Sequence, residues 1–155
     1  MQSYTPDRVI NGTFGEVTIG DDYMAEVTGL EAKVTLEKTE VNQTGSLGKS
    51  YKVTGIDGKG TVKFNKITSY FIELMSDNLK NGKTTTCDII SNLEDPDSFG
   101  AEKIKLKNCV FDELTLANWE AKKMTEESVP FTFSDWDIMS FVDKTGTEQV
   151  VEIGN

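Results

Sequence analysis

The spacing of apolar side chains changes period along this chain, and the changes divide it into elements. Leu30, Ala32, Val34 and Leu36 alternate with Glu31, Lys33, Thr35 and Glu37. A period of two puts the two sets on opposite sides of a strand, one facing a core and one facing water. This strand is expected to continue toward Val41. Gly60 to Ile67 repeats the pattern, with Val62 and Phe64 on one side and Thr61, Lys63 and Asn65 on the other. Thr13–Ile19, the turn residues Gly20-Asp21-Asp22 and Tyr23–Val27 read as an earlier hairpin. Further strands are expected over Thr85–Leu93, Lys103–Phe111 and Leu114–Glu120, and again where Val129, Phe131 and Phe133 alternate. Pro130 in the last of these predicts an edge position or a bulge. Residues 42–58 contain four glycines and little periodicity, so they read as a long loop.

One segment changes to helical spacing. Phe71, Ile72, Leu74, Met75 and Leu79 form a stripe over Tyr70–Lys80. Thr68 or Ser69 can cap its start, Glu73 and Lys80 suit the helix dipole, and Gly82 can end it in left-handed geometry. The fold class is therefore mainly β, a sandwich or partly open barrel, with one α-helix at about residues 69–81. The expected organisation is one domain over 1–155. Residues 1–12 would be a flexible N-terminal arm and 139–155 a polar C-terminal tail.

Composition supports the β assignment. Val, Ile and Thr supply 40 of 155 residues and Ala only 5. There is no histidine, which removes Ser-His-Asp and Cys-His catalysis and the commonest zinc ligand sets. Arg8 is the single arginine in a chain of net charge −10, an argument against nucleic-acid readout. No apolar run reaches the roughly 18 residues of a membrane span, and the start shows no basic-then-apolar leader. Cys87 and Cys109 lack CxxC spacing and read as reduced core thiols, with a disulfide the alternative.

Charge is distributed unevenly. Residues 31–67 hold 7 basic and 4 acidic side chains, whereas 112–155 hold 3 and 10. A basic hairpin and an acidic C-terminal third can meet on neighbouring copies, as a head-to-tail contact requires.

Candidate chemistry is sparse. Ser46-x-x-Lys49, Ser76-Asp77-Asn78 and Lys144-Thr145-Gly146 match the three serine β-lactamase motifs in order. The first lies in a glycine-rich loop and the second on the wet face of a short helix, so the match reads as chance. The acidic pairs Asp95/Asp97, Asp112/Glu113, Glu126/Glu127 and Asp135/Asp137 read as solvated carboxylates. Glu94–Asp97 departs from calcium-loop spacing, and Gly55, Gly58 and Gly60 do not form a phosphate loop. Phe131, Phe133 and Trp136 read as core before they read as a stacking platform. No catalytic, cofactor or metal site is expected, and the chain is expected not to be an enzyme.

Three stretches carry a family resemblance. Gly58-Lys-Gly-Thr-Val-Lys-Phe-Asn-Lys-Ile-Thr-Ser69, continuing through Met75, Asp77 and Gly82, is similar to the tail tube (core) proteins of PBSX-type prophages. Val129-Pro-Phe-Thr-Phe-Ser-Asp-Trp-Asp137 resembles the family's C-terminal signature. Leu30–Val34 with Lys38–Asn42 resembles the segment before the long loop. Together they cover most of residues 12–138.

The resemblance implies a structural subunit of the inner tube of contractile phage tails or phage-tail-like bacteriocins, with hexameric rings stacked around a channel. It implies Glu31, Lys33, Thr35, Glu37, Thr61, Lys63 and Asn65 as channel-lining residues. It also implies Asn42, Leu47, Lys49, Tyr51 and Lys52 as a ring-to-ring contact. The partners would be other copies, sheath, baseplate or tube initiator, and tail terminator, with passive passage of DNA and no membrane binding. The protein would reside in the virion or tail-like particle after assembly in the bacterial cytoplasm. The alternatives are a tube of a type VI secretion-like system and a soluble β-sandwich binding module.

Overall fold

The computed structural model describes residues 5–97, 100–142 and 148–151. Two single 3-10 turns, Pro6–Arg8 and Gly12–Phe14, precede β1 (Gly15–Ile19) and β2 (Asp22–Tyr23). A long hairpin follows, β3 (Val27–Val41) and β4 (Ser50–Asn65), then α1 (Tyr70–Lys80). The chain continues as β5 (Cys87–Leu93), β6 (Glu102–Phe111), β7 (Glu126–Phe133), β8 (Asp135–Val142) and β9 (Glu148–Val150). The hydrogen-bonded order is β2-β1-β5-β6-β7-β4-β3, with β8 on β6 and β9 on β8, and every pairing is antiparallel. The sheet folds over on itself but does not close, since among the described residues β3 pairs only with β4.

The fold-over has a definable corner. Lys103–Lys107 of β6 pair with β8, whereas Val110 and Phe111 pair with β7. Asn108 and Cys109 lie between, and Asn108 adopts a left-handed φ of 57°, a conformation that asparagine tolerates better than most residues. Its Nδ2 donates to Ser134 Oγ at 3.0 Å, and Ser134 N–H donates to Lys107 O at 3.3 Å. Ser134 is the hinge between β7 and β8, so both strands change sheets at one stitched point.

The core between the layers is aromatic. Rings follow one another from Phe64 through Phe71, Phe111, Phe131 and Phe133 to Trp136, with centroids 5.0 to 6.3 Å apart. Val17, Ile19, Val62, Ile89, Leu106 and Val129 fill the space around them. The helix closes one end of the core through Phe71 and Met75. Its C-terminus is a full Schellman motif: Gly82 (φ 69°) N–H donates to Leu79 O at 3.2 Å and Lys83 N–H to Asn78 O at 2.7 Å.

The strand and helix periodicities are realised, with four differences. Residues 50–58, expected in a loop, are strand, and only 42–49 form the turn. Of the four glycines behind that loop reading, Gly58 lies under a phenylalanine, as does Gly60 at the start of the expected strand. A Cβ on Gly58 would sit 2.5 Å from Phe133 O, and one on Gly60 would run into the Phe131 ring. Leu114–Glu120 is not a strand, because β6 passes directly into pairing with β7 and residues 112–125 lie outside the sheet. The expected return strand Tyr23–Val27 is only the pair Asp22–Tyr23. The expected C-terminal tail contributes residues to β8 and β9 instead. Asn11, at the end of the N-terminal arm, is held by its N–H to Asp95 Oδ2 at 2.8 Å. Asp95 is buried rather than solvated, and it also accepts from Asp97 N–H at 2.9 Å.

Candidate assembly surface

The antiparallel register assigns each side chain of β3, β4 and β7 to a face. Glu31 is opposite Thr61, Lys33 opposite Lys59, Thr35 opposite Asp57 and Gly29 opposite Lys63. On the other side of β4, Lys59 is opposite Thr132, Lys63 opposite Ser128 and Asn65 opposite Glu126. All seven residues expected to line a channel therefore fall on one face of a three-stranded sheet. Asp57, Lys59, Glu126, Ser128 and Thr132 lie on this face as well. Asp57 was hidden inside the expected loop and Lys59 at its border, although Asp57, Lys59, Thr61 and Lys63 keep a strict alternation once Gly58 and Gly60 are read as inward positions.

The electrostatics of this face are balanced. Lys33 Nζ lies 3.0 Å from Glu31 Oε1 and Lys59 Nζ lies 3.5 Å from Asp57 Oδ2. These pairs are solvent-exposed, so each contributes little stability. Its acidic groups are Glu31, Glu37, Asp57 and Glu126 and its basic groups Lys33, Lys59 and Lys63, four against three, a net of −1. The opposite face of the same strands is core: Val62, Phe64, Val129, Phe131 and Phe133 are buried.

Beyond the body the hairpin continues on its own. The register pairs Leu36 with Ile56, Lys38 with Val53 and Glu40 with Tyr51. A bulge lies between Glu37 and Lys38, where Thr54 Oγ1 is 3.2 Å from Thr39 Oγ1 and 3.4 Å from Glu37 O. Leu36, Val53, Ile56 and Tyr51 are exposed on the face that continues the core side. Asn42, Leu47 and Lys49 occupy the turn, while Tyr51 and Lys52 are strand residues. Lys38 Nζ sits 5.8 Å from the Tyr51 ring centre, a weak cation–π contact.

The β-lactamase-like residues are not brought together. Ser46 and Lys49 are at the hairpin turn and Ser76–Asn78 is on α1, which packs at the other end of β4; Lys144–Gly146 lie outside the described residues. Among the described residues no cluster of three or more Cys, Asp or Glu side chains is poised to hold a metal, and no helix is long and apolar enough to cross a membrane. Cys87 and Cys109 face each other across β5 and β6 as free thiols. Burial pushes Cys87 up to about 11 and Cys109 up to about 12, so both are protonated at neutral pH. Tyr70 is raised by burial and by its hydrogen bond to Asp22 Oδ2 at 3.0 Å. Lys107 is raised by its 2.6 Å pairing with Asp137.

A folded-over, unclosed antiparallel sheet with a polar face, one closing helix and a protruding hairpin defines the class of tail-tube-like β proteins. The chain belongs to the phage tail tube protein family, whose model matches residues 2–140. The phage-like element PBSX protein XkdM of Bacillus subtilis (strain 168) is 36% identical over 133 residues, 84% of this chain and 90% of the relative. The fold is similar to that of a chain in the tube-terminating cap of the anti-feeding prophage, with a TM-score of 0.69, 13% identity, and 89% and 93% of the two chains covered. It is also similar to a chain in the sheath–tube complex of an extracellular contractile injection system, with a TM-score of 0.67, 10% identity, and 96% and 100% covered.

Proposed function

We propose that this chain is the building block of the inner tube of a contractile tail or tail-like particle. Copies join side by side into six-membered rings, and the rings stack around a channel. The observation that carries this reading is a sheet with a polar face over β3, β4 and β7 and an aromatic core on the other side, ending in a strand of 15 residues that, among the described residues, has no hydrogen-bonded neighbour on its outer edge. A long free edge is an aggregation hazard unless another chain covers it. A ring of copies covers every such edge at once and turns every polar face the same way.

In this arrangement Glu31, Lys33, Thr35, Glu37, Thr61, Lys63 and Asn65 line the channel, joined by Asp57 and Lys59. Their mixed signs leave little net field to hold a passing polyanion, which suits passive passage of DNA. The sheath–tube and tube-cap neighbours support sheath, baseplate or initiator, and terminator proteins as the further partners. The work is mechanical rather than catalytic, and it is done in the particle after assembly in the bacterial cytoplasm. Electron microscopy of the purified protein, alone and with a tail initiator, should show rings or tubes with a central hole. A protein that stays monomeric across concentration and salt, and never joins tail components, overturns the reading.

A further inference from the structure

The two ends of the β3–β4 ladder differ chemically, and the difference gives the direction in which copies can follow one another. At one end the turn 42–49 presents Leu47 fully exposed. The segment 38–52 around it carries Lys38, Lys49 and Lys52 against Glu40, a net of +2. β4 is 16 residues long, which places its other end about 50 Å away. There Lys66 N–H donates to Thr125 O at 2.9 Å, which joins the end of β4 to the start of β7. The neighbours of that bond, Ile67 and Met124, are 71% and 98% exposed. Around them Glu26, Glu120, Glu126 and Glu127 face Lys66, Lys122 and Lys123, a net of −1. Four of these charges are already paired, Lys66 with Glu127 at 3.4 Å and Lys123 with Glu120 at 3.1 Å, which leaves Glu26 and Glu126 against Lys122.

We infer that the hairpin turn of one copy seats on the Ile67–Met124 surface of the next copy along the tube. The inference rests on the stacked-ring reading and names the receiving surface that reading lacks. The two surfaces lie beyond opposite ends of β4, so a shift along the ladder carries one toward the other. Unlike ends make a heterologous contact, which repeats in one direction without closing on itself. Leu47 gains cover between a β-branched side chain and a flexible methionine that adapts its shape to what it meets. The opposite net charges orient the approach and disfavour tip-to-tip contact.

The test is cross-linking in the full-length protein carrying Leu47→Cys together with Met124→Cys. A second pair, Leu47→Cys with Ile67→Cys, serves where the first fails to fold. Under mild oxidation, assembled protein should give a ladder of covalent dimers, trimers and higher species on a non-reducing gel. The ladder should exceed that from either single variant by at least about tenfold, because seating raises the local thiol concentration. Tubes visible by electron microscopy without such a ladder for either pair overturn the receiving surface and leave the tube reading standing. Wild-type protein that forms neither rings nor tubes overturns both.

Discussion

The proximal and distal halves of the β3–β4 hairpin share one ladder of hydrogen bonds but not one environment. Near the body, Val62 and Phe64 are 0% and 4% exposed and lie against the phenylalanine ladder. Farther out on the same face, Leu36 and Ile56 are 51% and 54% exposed. The two halves do not differ much in side-chain type, only in what lies above them. Apolar residues that a chain cannot bury by itself are unremarkable singly but indicate a partner when they form a patch. On the proposed reading the proximal half serves folding and the distal half serves contact between copies, and substitutions should separate the two roles.

The largest effect is expected in the proximal half. Phe131→Ala removes a ring that touches Phe111 and Phe133 and lies over Gly60. A loss of about 3–5 kcal/mol is expected in urea unfolding, from the lost burial and the cavity left behind. Filling the opposite side fails as well. Gly60→Val places a side chain where the Phe131 ring and Glu31 O already stand, and its folded yield should fall with it. If either variant unfolds at the wild-type urea midpoint, the proximal half does not carry the fold.

A smaller effect is expected where the arm meets the body. Asp95→Ala leaves the N–H groups of Asn11 and Asp97 without their carboxylate acceptor. Losing a buried, charge-assisted acceptor costs about 1–3 kcal/mol. Proteolysis before β1 should also become faster. Retained stability together with an unchanged cleavage rate would show that the arm is held by something else.

Alkaline pH should weaken the core by a comparable or lesser amount. Cys87, Cys109 and Tyr70 all hold their protons more tightly folded than unfolded. Their contribution is therefore complete below the unfolded thiol value of about 9 and is lost as pH climbs through about 11 for Cys87 and about 12 for Cys109. Urea midpoints measured at about pH 7.5 and about pH 10.5 should differ, with the lower stability at the higher pH. In Cys87→Ala with Cys109→Ala the difference should shrink, and an undiminished slope would assign it to other groups.

Much of this was legible in the residues, and the places where it was not have physical causes. Alternation from Val129 to Phe133 gave a strand because its apolar side is buried, and alternation from Leu30 to Leu36 gave another although that side is buried only in part, at Leu30 and Val34. The helix was legible down to Gly82 because its cap has a fixed chemistry. The outer part of β4 was not, because Gly55 and Gly58, with Gly45 and Gly48 before them, look like a loop until Phe133 is seen above Gly58. Leu114 and Leu116 alternate like a strand, yet only Leu114 packs on the core. The decision there belongs to β6, which pairs with β7 and leaves no room in the sheet. Asp95 looked like any other acidic residue, since burial by a distant segment leaves no local signature. For the candidate face, the residues on β3 and the inner part of β4 were visible from period alone. Asp57 and Lys59 needed the register.

The smallest effect on folding should come from the distal half, and it separates the two halves most sharply. Leu36→Asp with Ile56→Asp changes two exposed residues that pair with each other. Neither belongs to the core cluster, so the free energy of unfolding should fall by only about 1 kcal/mol, from two surface changes and the repulsion of facing carboxylates. Assembly should respond differently. If another copy covers this face, as the tube reading has it, two carboxylates there must be desolvated or left uncovered, and either outcome opposes association. If the wild type assembles as proposed, sedimentation should show this variant as a folded monomer at concentrations where the wild type sediments as rings. A variant that folds and assembles like the wild type would mean that the outer half of the hairpin is exposed in the particle too. The apolar character of Leu36 and Ile56 would then have no role in contact between copies.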